Sequence, residues 1–405
     1  MIKKMLHELN YIKLENFFNI FLFLISIPFS ILYYMHIKIS KKEIWLICED
    51  KKEARDNGYC FYRYLRKEHP EINVYYAIDY KANDFQNVKT LGKTVRYGSI
   101  FHWILYFNCK YNISSQKAGK PDAAICYVLE QLNIIRNKSI FLQHGITINK
   151  ATWLFYKNTK MRLFICGAKP EYEYVKKYFG YPEDNLKYLG FCRFDDYHNI
   201  KVNEKQILLI PSWREWIASK NEFSKNYNKS KKFTDTEYYK KYQELINNQE
   251  LINFIEKNDL ELFFYPHRNM QKFISDFNTR SDRIKIVSNK NTDLRKLLME
   301  SAVMITDYSS VAIDFAYMKK PVIYYQFDEK KFREAQYEKG YFDYREAGLG
   351  TVVDSCEDVV NELEKIYKSN LEMPKNFEEA HKRFFELYDE KNCERTYKEL
   401  IKKGK

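Results

Sequence analysis

From residue 43 onward the chain alternates short apolar runs, rich in β-branched and aromatic residues, with amphipathic segments of helical length, which is the signature of wound α/β sheets. In the first half the runs predict strands at 43 to 49 (EIWLICE), 72 to 78, 111 to 115, 139 to 145 (SIFLQHG), 162 to 168 and 186 to 191. Helices are expected over 54 to 68 and 170 to 180. The rhythm resumes with strands at 206 to 213 (QILLIPSW), 260 to 268 (LELFFYPHR), 284 to 288, 303 to 310 (VMITDYSS), 321 to 327 and 350 to 355, and a helix over 311 to 319. Two wound domains joined near 195 to 205 account for this, with ligands expected at the carboxyl ends of the strands. The expected division is an apolar segment over 1 to 42, one wound domain over 43 to 200 and a second over 201 to 373. A C-terminal helix over 374 to 405 is expected to pack back across both.

The N-terminal pattern differs. Residues 16 to 37, NFFNIFLFLISIPFSILYYMHI, carry no Asp, Glu, Lys or Arg and are flanked by Lys13 and by Lys38, Lys41 and Lys42. The run is long enough to cross a bilayer, yet Pro28, Tyr33 and Tyr34 fit an interfacial segment as well as a span. No small-residue cleavage signature follows it. The polar tract 219 to 235, SKNEFSKNYNKSKKFTD, predicts a solvated loop.

Composition narrows the class. A length of 405 residues suits two domains, and 12 Gly and 9 Pro leave no room for a low-complexity tract. The formal charge of +13 implies an anionic partner: nucleic acid, an acidic membrane surface or a phosphate-rich substrate. No nucleic-acid motif is present, so nucleic acid is not expected. The eight cysteines are scattered without metal-ligand spacing, which predicts packed, reduced thiols.

Polar residues crowd three strand ends: Gln143, His144 and Gly145; His267 and Arg268; and Thr306, Asp307, Tyr308, Ser309 and Ser310. Turn formation or helix capping accounts for each tract singly. Together they suit an anion site, because amides at a helix start favour phosphate and a His–Arg pair stabilises a diphosphate leaving group. Asp314 follows Ser310 by one helical turn, where it could accept ribose hydroxyls. His144 has the pKa range of a general base. No carboxylate cluster suggests an obligatory metal, so no cofactor is expected.

The run ITDYSSVAIDFAYMKKPVIYYQFD, with KGYFDYREAGLGTVVDSCEDVVNEL and, upstream, LQHGITINKATWLF, GFCRFDDYH, ILLIPSWREW and FFYPHRNMQKF, closely resembles the CDP-glycerol glycerophosphotransferase family. The resemblance covers about 135 to 365. It implies a membrane-associated GT-B type fold, two Rossmann-like domains facing a cleft, and transfer of glycerol phosphate or another alditol phosphate such as ribitol phosphate. The donor would be CDP-glycerol or CDP-ribitol, the acceptor a lipid-linked teichoic acid or capsular polymer at an acidic membrane surface, and the product CMP. It implies His144 as base, His267 as diphosphate contact, Thr306, Ser309 and Ser310 about the phosphates and Asp314 near the ribose. Arg193 and Asp195 match a polar motif, as a salt bridge or a ligand contact, and Trp213 and Arg214 match a tract lining the cleft. Three departures concern the Pro266–His267–Arg268 order, Lys339 in place of Arg, and Ala347 and Leu349 in place of prolines about Gly348. The alternatives are a GT-B glycosyltransferase using a nucleotide sugar and a non-catalytic basic module. Oligomeric state is not legible.

Overall fold

The computed structural model describes residues 17 to 218 and 232 to 404. The chain divides into two compact units, each built on a wholly parallel sheet. One unit comprises the residues up to Ile146 with Thr152–Asp195 and Asp389–Lys405; the other comprises Thr147–Ala151 and Asp196–Tyr388.

In the first unit the strands are β1 (Trp45–Ile47), β2 (Val74–Ile78), β3 (Thr94–Arg96), β4 (Tyr111–Ser114), β5 (Ser139–Phe141), β6 (Leu163–Cys166) and β7 (Leu186–Tyr188), in the order 3-2-1-4-5-6-7. Alternate residues serve opposite faces: Trp45 and Ile47 join one buried cluster with Tyr76 and Ile113, while Leu46 joins another with Ala77 and Trp103. The edge strand β3 has only three residues, one exposed, so its pattern is too short and polar to announce a strand.

The second unit contains β8 (Asn203–Leu209), β9 (Glu261–Phe264), β10 (Ile284–Ile286), β11 (Ser301–Thr306), β12 (Val322–Tyr325) and β13 (Thr351–Val353), ordered 10-9-8-11-12-13. Both sheets reverse direction of growth beside their first strand, at β1/β4 and at β8/β11. A wound sheet opens a ligand crevice at such a point, beyond the carboxyl ends of the strands.

The helix Phe17–Ser40 contains Pro28 and is apolar and long enough to cross a membrane by length and composition. One face packs on the helix Ile100–Asn108: Ile20, Leu22, Phe23, Tyr33 and Ile37 join the cluster around Trp103. Phe18, Phe21, Leu24, Phe29, Ile31, Leu32, Met35 and Ile39 are exposed, spaced mostly three or four apart. Lys13 lies outside the described residues.

Two expectations change. The tail read as one helix forms two, Lys375–Phe384 and Asn392–Gly404. The second starts afresh because the Asp195 carboxylate accepts from the backbone amides of Asn392 (2.8 Å) and Cys393 (2.9 Å), satisfying donors a continuous helix would have consumed. Of the polar tract 219 to 235, residues 219 to 231 lie outside the described residues. Phe233 is buried, its ring stacked on Phe273 at 4.2 Å. All eight cysteines are free and buried.

Candidate functional site

In the first unit a buried polar frame surrounds the strand ends. Glu49, just past β1, is fully buried and accepts from the amides of Arg55 (3.0 Å), Asp56 (3.1 Å) and Tyr59 (2.7 Å) at the start of the helix Asn57–Glu68. Burial and the neighbouring Asp56 raise its pKa to about 8 against the pull of those amides. Ser115, beyond β4, accepts from Gly58 N at 2.8 Å and so closes the β1/β4 crevice.

One strand further on, Asn57 donates to the carbonyls of Leu142 (3.3 Å) and Gln143 (2.7 Å) and accepts from Arg193 N (2.9 Å). Gln143 is buried in the left-handed region at φ 59°, and its amide donates to Ile165 O (2.7 Å) and Glu171 Oε1 (3.0 Å). A non-glycine left-handed residue is retained where its surroundings over-determine it. Here the turn is made by Gln143 and not by the half-buried Gly145, and its consequence is that His144 is exposed directly after the buried run 139 to 143. Arg193 pairs with Asp56 at 2.7 Å and is nearly buried. The two residues singled out in the GFCRFDD tract are therefore both engaged within this unit, Arg193 in that pair and Asp195 as the helix cap described above.

In the second unit the β8/β11 crevice is organised by Arg214, which has no exposed surface. Its guanidinium is 2.9 Å from Asp307 and binds Asp328 through two nitrogens, at 2.8 and 3.0 Å. Tyr308 and Phe332 pack about it, with ring centres 5.1 and 5.2 Å from its Cζ. Asp307 also accepts from Ser212 N (2.8 Å), Tyr308 N (2.6 Å) and the Tyr242 hydroxyl (3.1 Å). Thr306 donates to Ile210 O at 2.6 Å. Arg214, Thr306 and Asp307 are thus internal supports: enclosed on all sides, they shape the strand ends and present no surface, which differs from the cleft-lining place expected for Arg214.

What these supports hold at the surface are Trp213, His267, Arg268, Ser309 and Ser310, all at carboxyl ends of β8, β9 and β11. The Trp213 and His267 rings stack at 6.3 Å. Asn269 N donates to His267 Nδ1 (3.2 Å), which leaves Nε2 to carry the proton. Burial and the adjacent Arg268 lower the His267 pKa to about 4, so its ring is neutral at pH 7. The cation of the expected pair is Arg268, which is exposed. Ser309 and Ser310 are half-buried before the short helix Val311–Tyr317, and Ser309 Oγ accepts from Val311 N. Asp314 is buried in the first turn and engaged within the protein, so a ribose contact would require its exposure. Among the described residues no group of three or more His, Cys, Asp or Glu is arranged to hold a metal ion.

Residues 29 to 402 match the family described as CDP-Glycerol:Poly(glycerophosphate) glycerophosphotransferase. The chain belongs to this family. Among curated relatives, it is 34% identical over 376 residues to the minor teichoic acid biosynthesis protein GgaB of Bacillus subtilis (strain 168), covering 89% of this chain and 40% of that protein. It is 22% identical to the teichoic acid poly(glycerol phosphate) polymerase of the same organism, covering 94% and 51%. The chain therefore spans about half the length of the curated relatives it matches. The solved structure of the wall teichoic acid polymerase TagF aligns with a TM-score of 0.66 at 16% identity, over 96% of this chain and 97% of that one. The fold of this glycerophosphotransferase-family chain is accordingly of the two-domain GT-B type.

Asp328 and Asn57 carry the frame and were not singled out in the sequence, and Gln143 was named only as one residue of a polar strand end. Asp328 follows β12 as Asp307 follows β11, so a carboxylate recurring after successive strands was the available signal. Gln143 and Asn57 act through backbone atoms far along the chain, which no local pattern reports.

Proposed function

We propose that this chain transfers an alditol phosphate, glycerol phosphate or ribitol phosphate, from a CDP-alditol to a hydroxyl of a lipid-linked teichoic acid or capsular polymer and releases CMP. The observation that carries the reading is His144, held at the surface by a buried left-handed Gln143 in a chain of this family. His144 takes the acceptor proton while the acceptor oxygen attacks the phosphorus bearing the alditol. The bond from that phosphorus to the bridging diphosphate oxygen breaks, and the charge leaves on CMP. Arg268 offers positive charge to the leaving phosphate, and neutral His267 offers an Nε2–H donor. The chemistry needs no resident cofactor or metal in this reading.

The exposed stripe of the helix Phe17–Ser40 supports a place on the cytoplasmic face of a membrane, the helix lying along the surface with its other side packed on Ile100–Asn108. The basic balance of the chain suits a polyanionic substrate at an acidic leaflet. The test is incubation with CDP-glycerol or CDP-ribitol and a lipid-linked acceptor, reading CMP release and product mass. CMP release that stops in a folded His144→Ala variant is expected. Full turnover in that variant, or UDP release from a nucleotide sugar in place of CMP release, would overturn the reading.

A further inference from the structure

Away from the carboxyl ends of the strands, the first unit contains a cavity of about 520 Å³ at the amino end of β6. It is lined by Arg136, Lys160, Arg162 and Lys403, with Asn137 and Glu130. Glu130 does not neutralise this cluster, since its carboxylate is held by Lys120 (2.6 Å), the Tyr106 hydroxyl (2.6 Å) and Asn137 (3.0 Å). The remaining cations are aimed by local structure. Lys160 stands in the left-handed region at φ 48° and bonds Asn133, itself left-handed, at 2.9 Å. Arg162 lies over the Tyr111 ring at 4.8 Å. Burial lowers the Lys403 pKa against the pull of nearby Glu399 and Asp184, with Arg162 and Lys187 adding to the lowering. Among the described residues the Arg136 guanidinium has no hydrogen-bond or ion-pair partner.

The lining of this cavity is tied to the apolar helix through a shared core cluster. Ile135, on its lining, packs in the same cluster as Ile20, Phe23 and Ile37 of Phe17–Ser40. Lys138 bonds Phe107 O at 2.7 Å, and the next residue, Asn108, bonds Ser30 O of the apolar helix at 3.2 Å. Ile134, at the tip of the same turn, is 63% exposed. Ile134 and Ile135 thus stand next in the chain to Arg136 of the cavity, and Ile135 ties that turn to the cluster on which the apolar helix packs.

We propose that the Arg136–Lys160–Arg162–Lys403 cavity binds the phosphate of an anionic phospholipid headgroup. The site orients the membrane-bound chain as well as retaining it, because it fixes a second point beside the helix. This rests on the reading that Phe17–Ser40 lies on a membrane.

The test measures binding of the full chain to vesicles of phosphatidylcholine alone and of phosphatidylcholine with phosphatidylglycerol. The Arg136→Gln/Lys160→Gln pair is expected to lose about tenfold or more of the phosphatidylglycerol-dependent affinity while binding phosphatidylcholine vesicles as the unmodified chain does. Arg136→Gln alone, at an exposed side chain, should show part of that loss in a protein of unchanged thermal stability. Lys240→Gln/Lys257→Gln, which removes the same charge from exposed positions of the second unit, is expected to leave binding unchanged. Equal loss in both pairs, or none in the cavity pair, would overturn the site. So would a cavity pair that weakens binding of soluble poly(glycerol phosphate) and not of vesicles. Leu24→Ser/Ile31→Ser separately tests the underlying reading: it should weaken binding to both vesicle types, and unchanged binding would sink the membrane placement itself.

Discussion

Replacing Arg214 with Met tests whether the β8/β11 crevice depends on its internal charge network. Met retains much of the volume and removes the charge, leaving Asp307 and Asp328 buried without their shared cation. Breaking a buried pair in this way costs about 3 to 5 kcal/mol. In a unit of this size each kcal/mol lowers Tm by about 2 to 4 °C, so a fall of roughly 6 to 20 °C is expected. The unfolding transition can be followed by the fluorescence of Trp213 and Trp216, which lie on the same segment. The triple change Arg214→Met, Asp307→Asn and Asp328→Asn should recover most of the loss. Asn at 307 still offers an oxygen to Ser212 N and Tyr308 N, and the Tyr242 hydroxyl can rotate to accept from its amide. A Tm within about 2 °C of the unmodified protein for the single variant, or no recovery in the triple, would refute the network as the organiser of this crevice.

Three further outcomes are expected. His267, with its folded pKa near 4 and an ordinary value of 6.5, binds fewer protons folded than unfolded between those limits, so its contribution to stability is lost as pH falls from about 6.5 to 4. The urea midpoint should therefore drop less from pH 7 to 4.5 in His267→Gln than in the unmodified chain, although buried His102, lowered to about 3, keeps part of the slope in both; equal drops would contradict the shift. Gly340→Ala would place a methyl 2.2 Å from Ile148 O and should destabilise the second unit by about 1 to 3 kcal/mol in chemical unfolding, whereas a neutral result would show that Thr147–Ala151 can yield. CMP release should persist in excess EDTA, and a loss restored by a divalent cation would require a metal in the reaction.

Apolar runs made the sheets legible: every strand expected from the sequence formed, usually shorter at its ends, because strands buried on both faces need continuous apolar sequence. The three-residue β3 was not legible, since half-exposed edge residues carry no such demand. At the strand ends, polar composition pointed to the right places without distinguishing support from surface. Asp307 and Ser309 are two residues apart in one motif, yet one is enclosed by four donors and the other is half-exposed. That difference is set by Arg214 and Tyr242, 93 and 65 positions before Asp307, where no local pattern reaches. The His267 charge state was likewise hidden, because it depends on burial.

The helix Asn392–Gly404 bears on how the protein is made. Its Leu400 and Cys393 belong to the core that contains Trp45 and Ile47, and the Tyr111 hydroxyl bonds Leu400 O at 2.7 Å. The sheet of β1 to β7 leaves the ribosome before that of β8 to β13 yet is finished after it, since a piece of its core is encoded after the whole second unit. On an emerging chain the second unit has nearly all its residues in one contiguous stretch, while the first must wait with an apolar face uncovered. Synthesis of the helix Asn392–Gly404, more than that of residues 43 to 195, is then the event that permits the first unit to close.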